Sequence, residues 1–80
     1  MNVQNWIIEW FVKAGSLDRQ KVENSMDKNY IENGLIDSFG FIQLIADVED
    51  TFDLSFEDKD FADETLLTIS GICKKIQELM

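Results

Sequence analysis

The stretch Gly34 to Leu54, GLIDSFGFIQLIADVEDTFDL, sets a single hydroxyl, Ser38, between Asp37 and Phe39 at the head of an apolar helical pattern. Serine there has two readings. It can cap the helix, its oxygen accepting a free first-turn N–H. It can also anchor a phosphate, because open amides and the positive end of the helix dipole stabilise an anion at that position by about 0.3–1 kcal/mol. Carboxylates crowd the far end of the same pattern, as Asp47, Glu49, Asp50 and Asp53. At Asp53 a negative charge opposes the helix dipole, an arrangement that invites a functional explanation.

Other chemistry is thinly supplied. The chain has no histidine, so neither a Ser-His-Asp set nor a histidine-activated thiol can be built. No zinc-type cluster and no phosphate-cradling glycine loop is present. In DLSFEDKDFADE, Asp53, Ser55, Glu57 and Glu64 match an EF-hand frame in part, but the position needing glycine is Asp58 and a usually aliphatic one is Asp60. The segment reads as a solvated acidic loop, and no metal site is expected. Cys73, the single cysteine, lies in an apolar helical pattern and reads as a small core residue, with a cytoplasmic setting the default. No enzyme is expected from this inventory.

The elements that must position Ser38 follow from periodicity. A first helix over about residues 3–14 carries Val3, Trp6, Ile7, Trp10, Phe11 and Ala14 on one face, widened by Ile8 and Val12, with Gly15 as its stop. Residues 16–37 are polar, with a short helical piece expected near residues 19–23. Leu17, Val22, Met26, Tyr30, Ile31, Leu35 and Ile36 are spaced to pin this long connection across a core. A second helix over residues 38–52 has the stripe Phe41, Leu44, Ile45, Val48 and Phe52, which directs Asp47, Glu49 and Asp50 to solvent. A short third helix near residues 58–62 is expected to turn Phe61 inward. A fourth follows Thr68 as N-cap, with Ile69, Ile72, Cys73, Ile76, Leu79 and Met80 on its apolar face. The fold class is all-α: a small four-helix bundle of three main helices and one short one, with a long first loop, making residues 1–80 one domain.

The net charge of −9, from 16 acidic and 7 basic residues, speaks against nucleic acid and against an anionic membrane surface. It suits a basic protein partner reached by electrostatic steering, or simply a soluble monomer. The N-terminal run MNVQNWIIEWFVKAG lacks a basic leader and carries Glu9, so neither a signal peptide nor a membrane span is expected.

In this frame the sequence resembles the acyl carrier and peptidyl carrier protein family. The parts that carry the resemblance are Gly34, the step Asp37-Ser38-Phe39, the acidic turn Glu49-Asp50-Thr51-Phe52, and LSFEDKDFADETLLTISGI, similar to the family's short third helix and the start of its last helix. The resemblance implies that Ser38 receives 4′-phosphopantetheine from coenzyme A through a separate phosphopantetheinyl transferase, making the chain a phosphoprotein. The arm's thiol would hold an acyl or aminoacyl group as a thioester for fatty acid, polyketide or nonribosomal peptide biosynthesis. It further implies that Asp37 belongs to the transferase recognition motif, and that Gln43, Asp47, Glu49 and Asp50 meet basic docking faces on loading ligases and acyl-transferring enzymes. Ile42, Leu44, Ile45, Ile69 and Ile72 would partly shelter an apolar cargo.

The chain departs from the commonest fatty-acid carriers at Gly40, Phe41 and Gln43 and in lacking the usual Ile-Pro before the third helix. Those departures point to a specialised, freestanding member. DSFGFIQLI is similar to the D-S-M-G-T-V-Q-L-L type of D-alanyl carrier proteins, an alternative with the same chemistry and another cargo. A reading of a different class is an unmodified acidic helical adaptor in which Ser38 is only an N-cap.

Overall fold

The computed structural model describes residues 2–80. Helix α1 spans Val3–Gly15, α2 Arg19–Glu23, α3 Ser38–Phe52, α4 Asp58–Phe61 and α5 Ile69–Leu79, with a 3-10 turn over Glu64–Leu67 before α5. No strand occurs among the described residues; a lone antiparallel bridge joins Asn29 to Thr68. The all-α bundle expected from the periodicity is thus observed. α3, α4 and α5 are the second, third and fourth helices of the pattern, and α2 is the helical piece inside the long connection.

Each boundary has a local cause. Asn2 caps α1 through the Asn5 amide at 2.9 Å, and Thr68 caps α5 through the Gly71 amide at 2.9 Å. Gly15 is not the stop: it stays helical, and Ser16 takes the left-handed cap conformation at φ 51°. α3 ends on Asp53, also left-handed at φ 54°. Gly71 serves a close approach, since a Cβ there would run into the Thr65 carbonyl where the 3-10 turn doubles back on α5.

The core gathers Val3, Ile7, Ile8 and Phe11 of α1 with Val22 of α2, Leu44, Ile45 and Val48 of α3, Leu66 of the 3-10 turn, and Ile69, Ile72, Cys73 and Ile76 of α5. The apolar face of α1 is the expected one widened by Ile8, which is buried, and Val12, which packs against the core; it differs in that Ala14 is exposed and Trp6 and Trp10 are half-buried at the rim. Trp6 meets Phe52 edge-on at 5.2 Å, and Trp10 donates its indole N–H to Asp47 Oδ2 at 2.8 Å, so both tryptophans fasten α1 to α3. On α5 the apolar face stops at Ile76; Leu79 and Met80 are exposed.

The long connection is pinned as its hydrophobes require. Val22, Tyr30 and Leu35 are buried, and Leu17, Met26, Ile31 and Ile36 pack against the core. Tyr30 holds the far side directly: its hydroxyl donates to the Leu66 carbonyl at 2.9 Å and its amide to the Leu67 carbonyl at 2.9 Å. Burial drives its phenol well above the ordinary value.

α4 differs from expectation. Phe61 is 44% exposed, although its ring meets Phe41 and Phe56, and Asp60 is the residue turned inward, 4% exposed. Its carboxylate accepts the Glu57 amide at 2.8 Å and pairs with Lys75 at 2.8 Å. The hydrogen bond from Lys75, then that from Glu57, holds the Asp60 carboxyl below its usual range despite burial. A paired charge, not an apolar ring, locks α4 to α5.

Candidate functional site

Ser38 stands at the first position of α3. The helix begins there because Asp37, in extended conformation, accepts the Gly40 amide on Oδ1 at 2.8 Å. The cap is therefore Asp37 and not Ser38, which corrects the capping reading of the serine. Released from that duty, the Ser38 hydroxyl is exposed and makes no hydrogen bond among the described residues. The amides of Ser38 and Phe39 belong to the first helical turn and have no helical acceptor. Hydroxyl, open amides and positive dipole end thus coincide, an arrangement suited to a phosphate ester.

A groove of about 550 Å³ opens beside Ser38, lined by Ala14, Ile31, Gly34, Leu35, Ile36, Asp37 and Gly40. Its size falls within the range of small-molecule sites. It lies on the side of the long connection and not between α3 and α5, where a shelter for cargo is expected from the resemblance. Leu44, Ile69 and Ile72 are fully buried core and Ile45 nearly so, while Ile42 is 67% exposed on the surface. The rings of Tyr30, Phe41, Phe61 and Phe56 follow one another at 5.9–6.3 Å between centroids and occupy the space between α3 and α4.

The acidic residues of α3 do not behave alike. Asp50 is exposed and makes no side-chain hydrogen bond or ion pair among the described residues. Gln43 is exposed and donates to Asp47 Oδ1 at 2.9 Å. Asp47 accepts both Gln43 and Trp10, and Glu49 accepts the Phe56 amide at 2.8 Å; both carboxylates are half-buried. Phe39, beside Ser38, was not singled out for a role from the sequence. It is 78% exposed, and its place directly after the serine was the available signal.

No cluster of potential metal ligands forms among the described residues; within residues 53–64, Asp60 pairs with Lys75 and Asp63 accepts from Thr65. Cys73 is buried and its thiol is pushed up to about 11 by desolvation, which leaves it unreactive near neutral pH. No described helix is long and apolar enough to cross a membrane.

The all-α bundle thus presents the Ser38 hydroxyl, exposed, at the start of α3. Comparison with known proteins adds a likeness to carriers. The chain is similar to the D-alanyl carrier proteins of Streptococcus pyogenes serotype M5 (strain Manfredo), serotype M49 (strain NZ131) and serotype M1. Each is 28% identical over 79 residues, covering 99% of this chain and 96% of the relative. No family model matches the chain, and no solved structure matches it. The full-length likeness supports a carrier-protein family and a freestanding carrier; the relatives are carriers and not enzymes.

Proposed function

We propose that residues 1–80 are one freestanding carrier domain that takes a 4′-phosphopantetheine arm on Ser38. The observation that carries this reading is the exposed Ser38 hydroxyl at the first turn of α3, freed from capping by Asp37. A phosphopantetheinyl transferase would join Ser38 Oγ to the pantetheine phosphate of coenzyme A, releasing adenosine 3′,5′-bisphosphate and the hydroxyl proton. When attached, the arm supplies a terminal thiol that holds an acyl or aminoacyl group as a thioester. Ser38 and Phe39 amides would face the phosphodiester, and Asp37 would hold the helix start in place while belonging to the surface the transferase reads. Gln43, Asp47, Glu49 and Asp50 would contribute to docking on basic faces of the transferase, a loading ligase and acyl-transferring enzymes. A cytoplasmic setting suits the lone, buried thiol of Cys73.

D-alanine is a second reading for the cargo, favoured by the names of the relatives. A specialised acyl, polyketide or aminoacyl pathway is the broader one. The adaptor reading is weakened because its premise, Ser38 as cap, is met by Asp37 instead.

Intact-protein mass spectrometry after incubation with coenzyme A, magnesium and a promiscuous transferase tests the proposal. One added phosphopantetheine, absent in Ser38→Ala, is expected. No addition to folded wild-type protein, with a control carrier modified in parallel, would overturn it. Loading of the modified protein by a D-alanine-activating ligase, and not by acyl ligases, would select D-alanine as cargo.

A further inference from the structure

Ser38 itself lines the groove on the side of the long connection. The walls are aliphatic: Ala14 near the end of α1, and Ile31, Leu35 and Ile36 of the connection. Gly40 keeps the groove open next to the serine, because a Cβ there would come within 3.1 Å of the Ile36 Cβ and crowd that wall. The floor is fixed before anything binds. Leu35 is buried, and its amide donates to the Tyr30 carbonyl at 2.9 Å. Asp37, exposed, also belongs to the lining. Its Oδ1 is taken by the Gly40 amide, and its other oxygen accepts no hydrogen bond among the described residues.

We propose that this groove seats the branched pantoyl part of the 4′-phosphopantetheine arm, so that the arm leaves Ser38 toward the long connection. This rests on the carrier reading of Ser38. Connectivity decides which part of the arm lies there. A single methylene separates the phosphate oxygen from a carbon bearing two methyl groups, and a hydroxyl and an amide follow. With the phosphate at the Ser38 and Phe39 amides, those methyls are the first apolar groups to reach a wall. Ile31, Leu35 and Ile36 offer them apolar surface to cover, and the free Asp37 oxygen can accept the hydroxyl. The opposite direction is closed, because the rings of Tyr30, Phe41, Phe61 and Phe56 occupy the space between α3 and α4. Attachment makes a shallow groove sufficient. A ligand tethered at its edge is present at an effective concentration on the order of millimolar, and a preformed floor spares the cost of ordering the site.

The test uses isotopically labelled protein modified by a promiscuous transferase with unlabelled coenzyme A, with mass spectrometry to establish that Ser38 carries the arm. Isotope-filtered NMR then reads nuclear Overhauser contacts between the arm's methyl protons and the protein. Contacts to the methyl groups of Ile31, Leu35 and Ile36 are expected, and the amides of these residues should shift between the unmodified and modified protein. Ala14→Trp, at an exposed helical position, fills the groove from the α1 side. Its circular dichroism should match wild type, and once modified it is expected to lose those contacts. Modified wild type without contacts to these residues, or with contacts to Phe41 and Phe61 instead, would overturn the seat and leave the carrier reading standing. Contacts that persist unchanged in folded Ala14→Trp would do the same. Folded wild type that takes no arm beside a working control would overturn the carrier reading, and the seat with it.

Discussion

Replacing Asp37 by alanine removes the acceptor for the Gly40 amide, a contact of 2.8 Å at the start of the 15-residue helix α3. Loss of such a cap costs about 1 kcal/mol, within a range of about 0.5–2. For a domain of this size each kcal/mol lowers Tm by about 4–8 °C, so Asp37→Ala should melt lower by about that amount. Asp37→Asn keeps the accepting oxygen and loses only the charge near the helix dipole, which limits its cost to about 0.3–1 kcal/mol. Ser38→Ala deletes an exposed hydroxyl without a hydrogen bond and should change stability by less than about 0.5 kcal/mol in either direction. Thermal and urea unfolding of the three variants, followed by far-UV circular dichroism, gives the comparison. If Ser38→Ala melts as low as Asp37→Ala, the serine is the true cap and the argument for its freedom collapses. If Asp37→Ala melts with the wild type, the 2.8 Å contact does not stabilise the helix and the argument also fails.

Tyr30→Phe should destabilise by about 1–2 kcal/mol, because the buried Leu66 carbonyl loses its donor. Since burial raises the folded-state phenol above its ordinary value of 10.0, the unfolded chain ionises first; stability should therefore fall as pH rises beyond that value, and ultraviolet titration should show no tyrosinate before unfolding. Tyrosinate forming in the folded protein near its ordinary value would refute this. For Asp60 the sign is reversed. Its carboxyl is depressed by Lys75 and the Glu57 amide, so the stabilisation it provides is present above the usual carboxylate range and is lost as pH falls through the lowered folded-state value. Carboxyl-carbon NMR should place its midpoint below that of an ordinary aspartate, and Lys75→Met should move it upward; a midpoint indifferent to Lys75 would refute the pairing.

Much of the architecture could be read from the order of residues. The apolar spacing of Phe41, Leu44, Ile45, Val48 and Phe52 defines α3 over the bounds observed, and the isolated hydrophobes of residues 16–37 announce a connection tied to the core. What escaped was decided by contacts between distant residues or by ties between neighbours. Asp37 and Ser38 are both good caps, and a one-residue choice between them depends on which oxygen reaches the Gly40 amide. In α4 the apolar pattern favours Phe61 inside, yet Lys75 from α5 makes Asp60 the better buried residue. The 3-10 turn over Glu64–Leu67 is too short to show a period. At the site, the acids of α3 were expected to face solvent as a group. Asp47 is claimed by Trp10, 37 residues away, and that pairing leaves no local trace in the sequence.

The Tyr30 fastening has a mechanical consequence for the residue eight positions beyond it. Hydroxyl and amide of Tyr30 grip the carbonyls of Leu66 and Leu67, and the Tyr30 carbonyl in turn accepts the Leu35 amide at 2.9 Å. The backbone leading into Ser38 is therefore tied to the turn that precedes α5. A pull applied at Ser38 would thus pass through Tyr30 to the turn before α5 as well as along α3.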